Sequence, residues 1–311
     1  MKKRVLSAML VAAMAMTAMP SQTFAEGALD AAQQTGKLSY DGYKKVWSDE
    51  FDGDSLNRAD WNVETHEKGW VNNELQEYVD SAENIQVKDG KLIINPVKKV
   101  TDGDTGSTKE AASYTSGRVS TQNKQTFIYG RFECRAKVPK GQGYLPAFWL
   151  MANDENVYGQ WPRCGEIDCM EVMGQETNKA YGTIHYGNPH SESQGTYTIT
   201  DGADFSDDFH IYTCDWEPGK ITWYVDGVKY HEESEWHSTT VGQGTLAYPA
   251  PFDQPFYIIL NLAVGGSWVG NPNDETSFEN NPYVIDYVRV YQKDSYDEDV
   301  KRPGKISLVM S

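Results

Sequence analysis

The sequence predicts an all-β sandwich, and three observations predict it. Short runs rich in β-branched and aromatic residues follow one another from about residue 46 to about residue 292, broken by Gly, Asn and Asp turns. Asp89-Gly90 and Asp226-Gly227 each separate two such runs, which is the strongest short-range signal for a two-residue hairpin. No stretch has a convincing helical period. A single two-layer domain follows from this pattern; at this level a sandwich and a barrel both remain open.

Taken in order, Met1-Lys2-Lys3-Arg4 and the Ala/Met-rich apolar run to Met19 predict a secretory signal peptide over residues 1–25, cleaved after Thr23-Phe24-Ala25. The run is too short and too weakly apolar to span a bilayer, as is every later segment. The expected location is therefore extracellular, with no membrane partner. Residues 26–45 are Ala/Gln/Gly-rich and expected to be loose. Residues 46–292 form the folded domain, and residues 293–311 form a charged tail with no assigned role.

Within the domain a strand begins near Val46, and Asp52-Gly53-Asp54 is a turn. Residues 84–88 and 91–94 flank the first Asp-Gly pair, and the polar, Gly-containing residues 99–112 form a loop. Strands follow near 113–120, 126–138, 144–151, 164–173, 180–186, 195–200 and 209–217. Residues 221–225 and 228–230 flank the second Asp-Gly pair. Residues 231–254 form a long loop, and 256–264 and 284–291 are the last strands.

The formal charge of −17 argues against nucleic acid and anionic lipid as partners, and it disfavours strongly anionic polysaccharides. Cleavage of the signal would remove three basic residues and no acidic ones, making the chain more negative still. Nine Trp and nineteen Tyr suit stacking on neutral sugar rings, and they equally suit a β core. The four Cys are expected as reduced thiols. Cys134 alternates with Phe132 and Ala136, Cys169 shares a side with Ile167, and Cys214 sits in another apolar run, so they read as small core residues. Cys164 with Cys169 is the pair nearest to an exception. Neither Cys nor His stands at a metal-ligand spacing. Gly265-Gly266-Ser267-Trp268-Val269 lacks the last glycine of a serine nucleophile elbow, and no phosphate or dinucleotide loop is present.

The chemistry concentrates in Gly165-Glu166-Ile167-Asp168-Cys169-Met170-Glu171-Val172-Met173-Gly174. On a strand Glu166 and Asp168 share one face, and Glu171 points the other way. One extra residue, a β-bulge, would return Glu171 to the face of the other two. The two Glu α-carbons would then stand roughly 13 Å apart, and their side chains could lean to the ~5–5.5 Å separation of a retaining glycosidase. Three acids crowded on one face of a strand repel one another, so a wet acidic face is a poor account of them.

This run, Glu-Ile-Asp-x-Met-Glu, resembles the active-site strand of family 16 glycoside hydrolases in the bulged form of laminarinases, the endo-β-1,3-glucanases. Trp47-Ser48-Asp49-Glu50-Phe51, the segment Trp70-Val71-Asn72-Asn73-Glu74-Leu75-Gln76-Glu77-Tyr78, Gly130-Arg131-Phe132-Glu133, Pro146-Ala147-Phe148-Trp149-Leu150-Met151 and Asp286-Tyr287-Val288-Arg289-Val290-Tyr291 are similar to further family segments, in the same order.

The resemblance implies a jelly roll of two curved antiparallel sheets with a glycan cleft on the concave face. It implies a monomer that hydrolyses neutral β-glucan with retention and without a catalytic cofactor. It makes Glu166 the nucleophile, Glu171 the acid/base, and Asp168 the residue that holds Glu166 ionised and oriented. It places Asn73, Glu74, Trp149, Trp161 and Trp268 along the groove and His185 beside the acid/base carboxylate. It also implies a structural calcium ion on Glu50, the carbonyl of Gly90, and Asp286. Arg118, which follows a Gly in a strand, is a candidate donor to sugar hydroxyls or to a catalytic carboxylate. A lichenase-like β-1,3-1,4-glucanase, an agarase, carrageenase or transglycosylase relative, and a non-catalytic glycan-binding sandwich are the alternatives. The two residues between Asp168 and Glu171 depart from the one-residue spacing of lichenases and xyloglucan-acting members.

Overall fold

Both Asp-Gly pairs turn as their chemistry requires. Asp89 and Gly90 have φ of 53° and 68°, and Asp226 and Gly227 have φ of 48° and 76°. Both central residues of each turn are therefore left-handed, which matches the turn's twist to that of the flanking strands. These hairpins belong to a computed structural model that describes residues 40–99, 113–200, 202–240 and 244–303. The signal segment, residues 26–39, most of the predicted 99–112 loop and the end of the tail lie outside the described residues.

Two eight-stranded antiparallel sheets make the sandwich. One runs Val228–Glu233, Lys220–Val225, His210–Glu217, Gly130–Lys137, Tyr283–Lys293, Lys91–Ile94, Ile85–Lys88, with Tyr43–Asp49 also paired to Tyr283–Lys293. The other runs Ser191–Thr198, Lys179–Tyr186, Glu166–Glu171, Tyr144–Ala152, Phe256–Val264, Arg118–Ser120, Asn62–Val63, with Thr126–Phe127 also on Phe256–Val264. The fold is the expected all-β jelly roll. No helix occurs among the described residues, so none there is long and apolar enough to cross a membrane.

The core lies between the sheets. Phe148, Leu150, Ile167, Ile184, Leu260 and Leu262 meet Phe132, Trp216, Trp223, Val288 and Val290 from the opposite sheet. Each such side chain contributes about 1.5–3 kcal/mol by leaving water. Phe256–Val264 is buried along its whole length, although it alternates like any strand. The segment from His66 to Tyr78 covers its second face: Tyr78 OH accepts from Asn261 Nδ2 at 3.0 Å, and Gln76 Oε1 accepts from the Val264 amide at 2.8 Å.

Three departures from the sequence reading have local causes. The first strand starts at Tyr43, not Val46, because the last strand runs on to Lys293 and supplies partners for Tyr43–Lys45. The start of the tail is packed, with Tyr296 against Tyr129 at 5.3 Å and the Arg302 guanidinium over the Tyr248 ring at 5.8 Å. The strand after Asp226-Gly227 continues to Glu233, and the long loop holds a two-residue pairing of Thr239–Thr240 with Gly244–Thr245.

Cys134, Cys164, Cys169 and Cys214 are all buried and unbridged. Burial pushes the Cys164 thiol up to about 12, which leaves it unreactive in the folded state. Alkylation of the native protein is expected to spare all four, and alkylation after denaturation to label all four in intact-mass spectra. Two protected sulfurs in the denatured sample would contradict the fold.

Candidate active site

The bulge in Glu166–Glu171 falls at Cys169. On one side Phe148 pairs with Met170 and Trp149 with Asp168, so Cys169 has no opposite number. On the other side Thr183 pairs with Asp168 and Tyr181 with Glu171, so three steps face two. Ile167, Cys169 and Met170 all turn into the core, and Glu166, Asp168 and Glu171 share the outer face. Trp223, from the opposite sheet, donates its indole N–H to the Asp168 carbonyl at 2.8 Å. That bond satisfies a carbonyl that the irregular ladder would otherwise strand. Gly182 makes room for it, since a Cβ there would lie 2.4 Å from Trp223 Cδ1.

Three carboxylates on one partly dry face cannot all be ionised cheaply. Burial, followed by the charge of Asp168, pushes Glu166 up to about 8, against relief from His185, the Trp161 side chain and Arg118. Burial also pushes Asp168 up to about 8, and its hydrogen bond with Glu166 works the other way. Glu171 is held well above the usual carboxylate range by burial, then by Asp168 and Glu166. The charge on Asp168 thus opposes ionisation of Glu166, which corrects the role expected for it. The hydrogen bond between the two carboxyls favours the ionised form of Asp168 and still holds Glu166 in place.

A pH profile follows. Lowering pH protonates Glu166 and removes the nucleophile; raising pH strips Glu171 and removes the acid. The kcat/KM profile is expected to be bell-shaped, with both limbs belonging to the cluster and not to single residues. Asp168→Asn deletes a charge that raises both glutamates, so both limbs should move to lower pH. The maximal rate of this variant should fall between those of wild type and Glu166→Ala. An unmoved profile would show that Asp168 does not act electrostatically on the glutamates.

His185 pairs across the ladder with Glu166. Its Nε2 lies 3.3 Å from Asp168 Oδ2 and 3.8 Å from Glu166 Oε1. Its closest carboxylate contacts are therefore on the nucleophile side, while it also lowers Glu171 against the burial and the acids that raise it. Trp161, 46% exposed, leans over His185 at 6.1 Å between ring centroids.

The other expected groove residues divide. Trp149 lies beside Asp168 and donates its indole N–H to Asn261 Oδ1 at 2.7 Å. Arg118 does not present a free guanidinium to a ligand: it is buried, its Nε donates to Glu64 Oε2 at 2.5 Å, and its guanidinium lies over Trp149 at 4.8 Å and Trp70 at 5.3 Å. It supports two indoles, and its charge also eases ionisation of Glu166. Asn73 is exposed and donates to Ser267 Oγ at 2.9 Å, tying its loop to that of Trp268. Trp268 is 44% exposed and stands edge-on to Tyr181, Glu171's ladder partner, at 5.3 Å. Glu74 is largely shielded from solvent. It accepts from Gln76 Nε2 at 2.7 Å and adds to the charges that raise Glu171.

Sequence reasoning passed over Trp70, half exposed and stacked on His66 at 3.5 Å, and Asn261, the one amide side chain in Phe256–Val264. A lone Asn in an apolar strand was a readable signal. Both acidic side chains expected to hold calcium carry arginine partners. Glu50 is held by Arg289 through two nitrogens, with contacts of 2.8 to 3.2 Å, and Asp286 accepts from Arg135 at 2.7 Å.

Comparison with known proteins agrees with this geometry. The family model for glycosyl hydrolases family 16 matches residues 72–289. The chain is 39% identical over 267 residues to a glucan endo-1,3-beta-glucosidase A1 of Niallia circulans, covering 81% of this chain but only 38% of that protein. It is 40% identical over 255 residues to a glucan endo-1,3-beta-glucosidase of Cryptopygus antarcticus, covering 78% of this chain and 90% of the other. The solved structure of an endo-beta-1,3-glucanase from Pyrococcus furiosus superposes with a TM-score of 0.68 at 38% identity, over 82% of this chain and 97% of that one.

Proposed function

The chain belongs to glycosyl hydrolase family 16 and is a glycoside hydrolase, and on that premise we propose that it is a secreted, laminarinase-like endo-β-1,3-glucanase that acts with retention. The observation that carries this reading is the bulge at Cys169, which puts Glu166, Asp168 and Glu171 on one face beneath Trp161. Glu166 attacks the anomeric carbon while Glu171 protonates the departing glycosidic oxygen. The resulting glycosyl-enzyme is opened by water, from which Glu171 takes back a proton, and two inversions leave the β configuration. Asp168 orients Glu166 between steps. The exposed indoles of Trp161, Trp268 and Trp70 supply apolar faces for sugar rings. The net charge of −17 suits a neutral glucan. The family's hydrolytic chemistry needs no catalytic cofactor. Secretion rests on the basic and apolar character of residues 1–25, and the enzyme is taken to act as a monomer.

Product analysis on laminarin, lichenan, agarose and carrageenan side by side tests the proposal. Short β-1,3-linked oligosaccharides from laminarin are expected, with slower cleavage of lichenan at β-1,4 bonds adjoining β-1,3 bonds. Release from agarose or carrageenan with laminarin untouched would overturn it, and so would binding of all four without reducing-sugar release. A secreted protein beginning at Glu26 is expected in N-terminal sequencing of the mature chain.

A further inference from the structure

His185 has a second set of neighbours on the side away from the catalytic carboxylates. The turn Gly187-Asn188-Pro189-His190 folds back so that His190 Nε2 lies 2.9 Å from His185 Nδ1, and Glu192 Oε2 lies 3.5 Å from the same nitrogen. One ligand atom from each of the three residues falls within 4.8 Å of the others. The separations of 2.9 and 3.5 Å bracket the roughly 3.3 Å between donors that stand 2.0–2.1 Å from a tetrahedral ion. His190 and Glu192 are exposed, so a further coordination position faces solvent.

We propose that His185 Nδ1, His190 Nε2 and Glu192 form a binding site for a divalent transition-metal ion of the Zn²⁺ class at the edge of the catalytic face. Two imidazoles and one carboxylate favour Zn²⁺, Cu²⁺ or Ni²⁺ over the oxygen-seeking Mg²⁺ and Ca²⁺. Behind the ligands, His185 reaches the catalytic carboxylates. His185 directs its other nitrogen at Asp168 Oδ2, 3.3 Å away, and that oxygen is buried with no hydrogen-bond partner of its own. The ion would therefore be one imidazole ring from the residue that orients the nucleophile. Trp161, 5.2 Å from His190 between ring centroids, roofs the site. The spacing of these residues along the chain gave no hint of it, since the donors meet only when the Lys179–Tyr186 and Ser191–Thr198 hairpin closes.

The site can be tested on the full chain without an affinity tag, stripped with chelator and dialysed, with no substrate present. Titration with Co²⁺ should produce the visible absorption of a tetrahedral nitrogen and oxygen site, and calorimetry should count one Zn²⁺ per chain. His190→Gln and Glu192→Gln should each weaken Zn²⁺ at least about tenfold, since loss even of a group behind a ligand costs that much. Glu166→Gln should leave the binding unchanged. Matching melting curves of the metal-free proteins establish that both exposed substitutions keep the fold. Absence of binding would overturn the proposal, as would binding that survives both substitutions. Loss of binding in Glu166→Gln alone would also overturn it, and would place the ion among Glu166, Asp168 and His185. None of these outcomes depends on hydrolysis, so the metal site and the glucanase reading stand or fall separately.

Discussion

Glu166→Ala is expected to lose hydrolysis by on the order of 10⁵-fold or more, because no other group can form the covalent intermediate. The loss is informative only if chemistry returns when a nucleophile is supplied. Truncation to Ala leaves space beside the sugar, and azide fits that space. With an activated aryl β-glycoside of a short β-1,3-glucan, azide should attack directly and give the α-glycosyl azide by a single inversion. NMR of the anomeric proton reads the result. A β-azide from this variant would mean that Glu166 is not the nucleophile.

Glu171→Ala should show the opposite signature. On laminarin the loss is expected to be roughly 10²–10⁴-fold, the usual contribution of a general acid or base. On an aryl glycoside with a good leaving group the first step needs no acid, so the glycosyl-enzyme should accumulate. Azide should intercept it and give the β-product after two inversions. The same anomer from both variants would sink the assigned roles. Glu171→Gln carries a further consequence. The folded protein holds this proton well above the usual range, whereas the unfolded chain releases it near the ordinary value of about 4.3. Wild-type stability from this group is therefore fully present below that pH and is lost as pH rises toward the folded value. The neutral Gln escapes the loss, so Glu171→Gln should melt higher than wild type, with a margin that widens as pH rises above about 4. Equal melting temperatures at pH 4 and pH 8 would mean that Glu171 is not held protonated by the fold.

What the sequence by itself determined is what depends on short range. The hairpins at Asp89-Gly90 and Asp226-Gly227, the alternation of Cys134 with Phe132 and Ala136, and the need for an extra residue between Asp168 and Glu171 follow from the period of a strand and the freedom of a turn. Neighbouring residues decide them, and the structure keeps all three. The tertiary structure alone decided where long side chains end. Arg118 looked available for a ligand, but Glu64 takes its charge and two indoles cover its faces. Glu74 stood in a polar loop that folds over the Phe256–Val264 strand and buries it. Asp168 looked like a fixed anion that would keep Glu166 ionised, yet burial beside a second carboxylate reverses that effect. His185 was read beside the acid/base, and only the structure shows that it also points one nitrogen at Asp168 and the other at His190. Each of these outcomes depends on charges and desolvation contributed by strands distant in sequence. Such terms act through space within a few ångströms and have no period along the chain, so only the closed sandwich could settle them.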